Sequence, residues 1–375
     1  MKVFSTSLKE RMRKLDLTVM ICVTILTCMS LLVLFGARDD FGMGKFAMQL
    51  AMAVIGFFCM ILISTFDYQD VIDKMYVIFF FVSVGALALT LLIGTGDGNK
   101  SWIRFDKIGI PFGIQPSEFV KLTFIVTFTK HLDRVKDEIN KPRNVLGLLI
   151  HAGLIIGLVL LSKDLGVALV YMGITAFMLF SAGLSIWYFL VVIFAAIVIF
   201  PHVWPMLALY QQRRILVGFN PMLDPEGKGY QPLLSKAAIS SGGMWGQGLF
   251  GGEVYPDLPA AHTDFVFAVI AEKLGFIGVT IAILTMCVLV IRVIVIARKS
   301  RKDTGSYVCM GIVAALIIQT TENIGMCMAM LPVVGITLPF LSYGGSSILA
   351  LYMMMGVVQS VQSHRVKYFF ERETT

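Results

Sequence analysis

The feature that most constrains this chain is a series of long apolar segments that recurs along almost its whole length. They fall at 17–36, 46–65, 74–93, 116–132, 145–161, 165–182, 186–204, 265–292, 306–330 and 340–362. Most lie near the ~20 residues that a helix needs to cross ~30 Å of hydrocarbon. In lipid every backbone N–H and C=O must find a partner within the protein, which leaves helices or closed barrels. The runs are unbroken, without the period-2 alternation of a barrel, so helices are expected. With 15% charged residues and a mean hydropathy of +0.82, the chain is far more apolar than a soluble domain. The expected fold class is an all-α polytopic integral membrane protein with about ten transmembrane helices, folded as a single membrane domain over 1–375.

Basic residues predict the orientation. Lys2, Lys9, Arg11, Arg13 and Lys14 precede the first segment, and Lys130, Arg134, Lys136, Lys141 and Arg143 surround the fourth connection. Arg298, Lys299, Arg301 and Lys302 follow the eighth segment, and Arg365, Lys367 and Arg372 follow the last. Cytoplasmic connections carry such an excess, which places both termini inside. The same pattern accounts for the net charge of +7 without a nucleic-acid partner. The first apolar run is too long for a cleaved signal peptide and has no small-residue cleavage site, so it is expected to remain as a span. The six cysteines sit inside apolar runs with no metal-ligand spacing, and neither a disulfide framework nor a zinc site is expected.

Two outer segments, 94–115 and 205–264, exceed what a connector needs, and long loops in compact proteins commonly carry function. The second follows the seventh span and precedes the eighth. Gly94 to Ser101 superficially resembles a phosphate-binding loop, but Asn99 stands where that motif requires glycine before its lysine. Trp102 reads either as an interfacial anchor or as a substrate contact. Glu118 and Lys121 lie three apart on one helical face and can pair. Ionisable groups within a span are costly unless paired or facing water, which makes them functional candidates. Lys163-Asp164 is either a satisfied hairpin tip or part of a site. With Glu272-Lys273 and Glu322-Asn323, these interruptions predict a polar cavity open to one side.

The most informative run extends from Leu258 to Gly275. Within it, His262, Thr263 and Asp264 sit where the long loop meets the eighth span. Asp264 could serve as a helix N-cap or as a general base, and local sequence leaves both readings open.

The order and spacing of several blocks resemble the SEDS family of RodA, FtsW and SpoVE proteins across nearly the whole chain. The blocks are Lys100–Ile103, Gln115–Lys121, Asp164–Gly166, Gln211–Arg214, Gly229–Gln231, Ser235-Lys236, Ser241–Gly252, His262–Gly275, Asn323–Met326 and Leu331–Ser347. The resemblance implies a peptidoglycan glycosyltransferase that polymerises lipid II into glycan strands at the outer face of the bacterial cytoplasmic membrane. Expected partners are lipid II, the growing strand, a class B penicillin-binding protein and other cell-wall synthesis proteins. By the resemblance, the essential acid falls on Asp264, the essential tryptophan on Trp102, the intramembrane pair on Glu118 and Lys121, and a further aspartate on Asp164. Inversion in the family fits direct displacement with Asp264 as base. Lys121, Arg213, Arg214 and Lys236 are candidates to stabilise the departing diphosphate, with His262 and Thr263 as further substrate contacts. A divalent cation, Mg or Mn, could share that task, although no ligand cluster in the sequence demonstrates one. The glycines of Ser241–Gly252 would allow backbone to approach a sugar chain closely.

Two positions depart from the family pattern, Lys163 in place of proline and Ala260 in place of glutamate. The first puts the turn before Asp164 in question, and the second removes an alternative acid. A lipid II flippase and a non-catalytic scaffold for a penicillin-binding protein are the competing readings. The candidates cluster towards the outer face, which favours the enzyme.

Overall fold

The computed structural model describes residues 14–96, 100–104, 113–206 and 209–364, with the side chains of Tyr210, Gln211 and Arg214 also outside the description. Lys2, Lys9, Arg11, Arg13, Arg365, Lys367 and Arg372, used above for orientation, lie outside the described residues.

Among the described residues, and besides a single short turn of helix at Arg38–Phe41, twelve helices of eleven or more residues organise the chain. They are α1 (Leu17–Gly36), α2 (Met43–Ser64), α3 (Tyr68–Ile93), α4 (Pro116–Val135), α5 (Pro142–Leu161), α6 (Leu165–Ser181) and α7 (Ile186–Val203), followed by α8 (Leu209–Phe219), α9 (Tyr230–Ser241), α10 (Val266–Arg298), α11 (Asp303–Cys327) and α12 (Gly345–His364). The ten apolar segments map onto α1–α7 and α10–α12. Seven of these helices are long and apolar enough to cross a membrane by themselves. The other three are α4, which carries Glu118, Lys121, Lys130, Asp133 and Arg134; α6, which has 17 residues; and α12, which carries Gln359, Ser360, Gln362 and Ser363.

Local chemistry sets several of the starts. Asp16 and Asp67 cap α1 and α3 by accepting the amides of Val19 and Gln69 at 3.1 and 3.0 Å. Pro116 and Pro142 occupy the first turns of α4 and α5, where a missing N–H costs nothing. The most extensive packing pairs α12 with α2, α11 with α6, α3 with α4, and α10 with both α11 and α1. Helix α7 stands at the periphery with no buried residue.

Segment 205–264 proves more ordered than its composition suggests, since it holds α8, α9 and short 3₁₀ turns. It is fastened by two charges at the start of α10. Fully buried Glu272 accepts the amides of Glu253, Val254 and Tyr255, each at 2.8 Å. Lys273 donates to the carbonyls of Gly36, Leu249 and Gly251 at 3.3, 3.0 and 2.8 Å. These two charges therefore hold loop backbone and do not line a polar cavity.

The glycine-rich stretch is likewise used internally. A Cβ on Gly242 would lie 1.9 Å from the carbonyl oxygen of Ala271, and one on Gly246 would lie 2.2 Å from that of Lys273. Helix α10 breaks opposite them at Gly275, with φ 66° and ψ −167°. Gly243 and Met244 carbonyls there accept the amides of Phe276 and Ile277. The close approach expected towards a sugar chain is thus an approach to the protein's own helix.

Replacing Glu272 by alanine removes the acceptor of three loop amides, one of them buried, and leaves Lys273 without its neighbouring charge. Thermal unfolding in detergent should show a loss of about 3 kcal/mol or more. An unchanged melting temperature would contradict the clamp.

Candidate active site

At one end of the bundle a cavity of about 630 Å³ opens between residues 102–104 and 113–115, the turn before α6, the turn before α10 and the irregular stretch 331–344. Its size lies in the range of small-molecule sites. The lining includes Trp102, Arg104, Gln115, Asp164, Thr263, Asp264 and Tyr343.

The 100–104 segment reaches the cavity through a small β-structure. Strands β1 (Ile103–Arg104) and β2 (Gly113–Ile114) pair antiparallel, and Thr95 and Trp102 exchange backbone hydrogen bonds at 2.8 and 3.1 Å. The Lys100 amide donates to the Ser162 carbonyl at 2.9 Å, docking the segment on the turn between α5 and α6. Trp102 is thereby presented to the cavity.

Asp164 is the N-cap of α6, its Oδ1 accepting the Val167 amide at 3.1 Å. Its Oδ2 accepts from Ser101 Oγ at 2.7 Å and from Gln115 Nε2 at 3.5 Å. Burial pushes its carboxyl above the usual range, and those hydrogen bonds oppose the shift. Lys163, at φ 63°, adopts a left-handed conformation that proline cannot reach, so this turn differs from one built on proline.

Asp264 is held by its backbone. The carbonyls of His262, Thr263 and Asp264, three in succession, accept from the Tyr343 amide at 2.9 Å, Ser342 Oγ at 2.5 Å and Asn323 Nδ2 at 2.7 Å. The same Asn323 Nδ2 donates to the Ile336 carbonyl at 2.6 Å. Helix α10 starts only at Val266, and no side-chain cap bond from Asp264 is formed among the described residues. The capping reading therefore falls away, and the carboxylate is left facing the cavity. Gly335, at φ 71°, lies against it, and a Cβ there would come 3.5 Å from Oδ2. Burial lifts the Asp264 carboxyl to about 6, with the nearby Asp164 charge acting in the same direction.

The other expected site residues are distributed differently. Thr263 lines the cavity. His262 does not; its ring packs 5.1 Å from that of Phe41 and 5.5 Å from that of Tyr343, and burial depresses its pKa to about 4, so it is neutral near pH 7. Glu118 and Lys121 form a 2.8 Å ion pair, both buried and neither among the lining residues. Arg213 and Lys236 are exposed and outside the lining, and the Arg214 side chain lies outside the described residues. The cation that the lining does contain is Arg104 on β1, which sequence reasoning passed over. It also passed over Gln49, fully buried on α2, which donates to the Ser342 carbonyl at 3.0 Å and accepts the Gly344 amide at 3.2 Å. An isolated glutamine in a span, and an arginine beside the tryptophan, were the available signals.

A divalent cation finds little support in this donor set. Both Asp164 oxygens are engaged, and among the described residues no three His, Cys, Asp or Glu side chains group to hold a metal ion.

Fold and cavity together define a polytopic helical membrane protein with a carboxylate-bearing site at one end of the bundle. Residues 12–367 match the family described as cell cycle protein, FtsW/RodA/SpoVE, and the chain belongs to that family. It is 36% identical to stage V sporulation protein E of Bacillus subtilis, covering 93% of this chain and 97% of that one. It is 32% identical to peptidoglycan glycosyltransferase MrdB of Escherichia coli, covering 94% of each. Among solved structures, a chain of a peptidoglycan synthase complex aligns with a TM-score of 0.82 at 26% identity, over 94% of this chain and 99% of that chain. The rod shape determining protein RodA of Thermus thermophilus aligns with a TM-score of 0.71 at 24% identity, over 94% and 98%, and bears on the fold alone.

The raised Asp264 value has a consequence for stability. Folding disfavours the ionised carboxyl, so this group's stabilising contribution is full below the unfolded value near 3.8 and is lost as pH rises through about 6. Asp264→Asn should therefore melt above the wild type at about pH 8, with the gap closing towards about pH 5. A gap that is the same at both pH values would contradict the burial of this carboxylate.

Proposed function

We propose that this chain is a peptidoglycan glycosyltransferase that polymerises lipid II at the outer face of the bacterial cytoplasmic membrane, with Asp264 as general base. The observation that carries the reading is the raised carboxyl of Asp264, lining a cavity of about 630 Å³ together with Trp102 and Arg104. A base is most effective when its pKa lies near the working pH, and a value of about 6 leaves the carboxyl ionised yet basic at neutrality.

In the reaction, the acceptor hydroxyl gives its proton to Asp264 as its oxygen attacks the anomeric carbon of the donor. The bond from that carbon to the diphosphate oxygen breaks, and the lipid diphosphate leaves with the electron pair. Arg104 is the lining cation suited to the developing phosphate charge. Asp164, tied to Ser101 and Gln115, positions the Trp102 segment, and Trp102 offers a flat apolar face to a sugar ring. Glu118 and Lys121 pair with one another inside α4, outside the cavity lining. A class B penicillin-binding protein is the expected partner, in line with the peptidoglycan synthase complex whose chain shares this fold. The lining residues come from one end of the bundle, which suits a one-sided enzyme better than a flippase needing alternating access.

The test is polymerisation of labelled lipid II by purified protein, alone and with its penicillin-binding partner, comparing wild type with Asp264→Asn. Loss of a general base should cost about 10²–10⁴-fold in rate. Equal product from both proteins would sink the assignment, and no product from either would redirect attention to a flipping assay.

A further inference from the structure

At the other end of the bundle, a second cavity of about 230 Å³ lies between α3, α4 and α5. Its lining is Tyr76, Val77, Phe80, Thr127, Lys130, His131, Arg134 and His151, of which two are permanent cations and two are imidazoles. Lys130 stands fourteen residues beyond Pro116, about 21 Å along α4 from the active-site end. Nothing in the proposed transfer reaction uses this place.

Its hydrogen bonds determine where protons sit. Thr127 Oγ1 donates to the Phe124 carbonyl at 3.0 Å, so it accepts from His151 Nε2 at 3.3 Å. His151 Nδ1 is then the acceptor in the 3.2 Å contact with His131 Nδ1, which donates. His131 Nε2 is the one imidazole nitrogen of the pair without a partner among the described residues. A proton taken up there adds a donor without breaking either bond. Lys130 pairs with half-exposed Asp73, and the Arg134 guanidinium lies 4.6 Å from the centre of the Tyr76 ring and donates to its hydroxyl. Beyond these polar groups the outer surfaces of α3 and α5 are apolar and open, with Val77, Phe81, Leu146 and Ile150 all exposed.

We propose that this cavity seats the phosphate of an anionic phospholipid, with Lys130, Arg134 and His131 as donors and the acyl chains lying along the exposed apolar faces of α3 and α5. Basic pockets between spanning helices take such headgroups. The apolar continuation distinguishes a lipid from a free phosphate, which would use the donors alone. Asp73 competes with the ligand for Lys130, so removing its charge should tighten binding.

The test is native mass spectrometry of the full chain in detergent with equimolar phosphatidylglycerol and phosphatidylcholine, repeated with inorganic phosphate. The wild type should retain phosphatidylglycerol over phosphatidylcholine by at least about fivefold, the worth of one such cation. Lys130→Gln with Arg134→Gln should bring the ratio close to parity, and Asp73→Asn should raise it. The opposite signs separate ligand binding from a merely structural ion pair, since a structural role would make Asp73→Asn resemble Lys130→Gln. Should the double variant not fold, the Asp73→Asn ratio decides alone. An unchanged or lowered ratio in Asp73→Asn would overturn the proposal, as would retention of inorganic phosphate without a lipid preference.

Discussion

Three successive backbone carbonyls, those of His262, Thr263 and Asp264, are each taken by a donor from another part of the chain, and the site depends on that arrangement. Two donors belong to the irregular stretch 331–344 and the third is Asn323 on α11. A turn preceding a helix would otherwise leave buried carbonyls unpaired beside the cavity, at a cost of up to several kcal/mol each. Meeting that requirement also aims the chemistry. With its backbone held and its side chain free of capping, Asp264 faces Gly335 across a gap that a larger residue would narrow.

The same economy runs through the bundle. Charges inside a helical membrane protein are costly unless paired or satisfied by backbone, and several here do mechanical work. Glu272 gathers three loop amides and Lys273 three carbonyls, which seat the 205–264 segment on the break at Gly275. Asp16 accepts Arg292 twice, at 2.8 and 2.6 Å, while Gln359 brackets its backbone, joining α1, α10 and α12 away from the cavity. Glu118 and Lys121 close on one another within α4. Of the charges that interrupt the spans, few are left to face a ligand.

Apolar runs located all ten long helices, because segment length and hydropathy are local properties. Boundaries differ at particular places: Asp67 caps α3 and starts it earlier than its apolar run, and α12 begins only at Gly345, after the irregular stretch 331–344. Asp264, Trp102, Thr263 and Asp164 were legible as cavity residues through their motifs. The roles of Glu272, Lys273 and the glycine stretch were not, since a buried charge looks alike in sequence whether it meets substrate or backbone. Arg213 and Lys236 misled for a related reason, because a cation's place within a sixty-residue loop depends on tertiary packing. Arg104 and Gln49 went unnoticed for want of a local pattern; the cavity alone singles them out.

In the proposed reaction a single carboxyl, its proton affinity raised by burial, acts in its ionised form as the base. The most direct measurement is the single-turnover rate of lipid II polymerisation as a function of pH. The rate should climb from about pH 5 and level off above an apparent pKa near 6, as Asp264 loses its proton. A rate that is flat across that interval, or that falls as pH rises through it, would contradict Asp264 as the base.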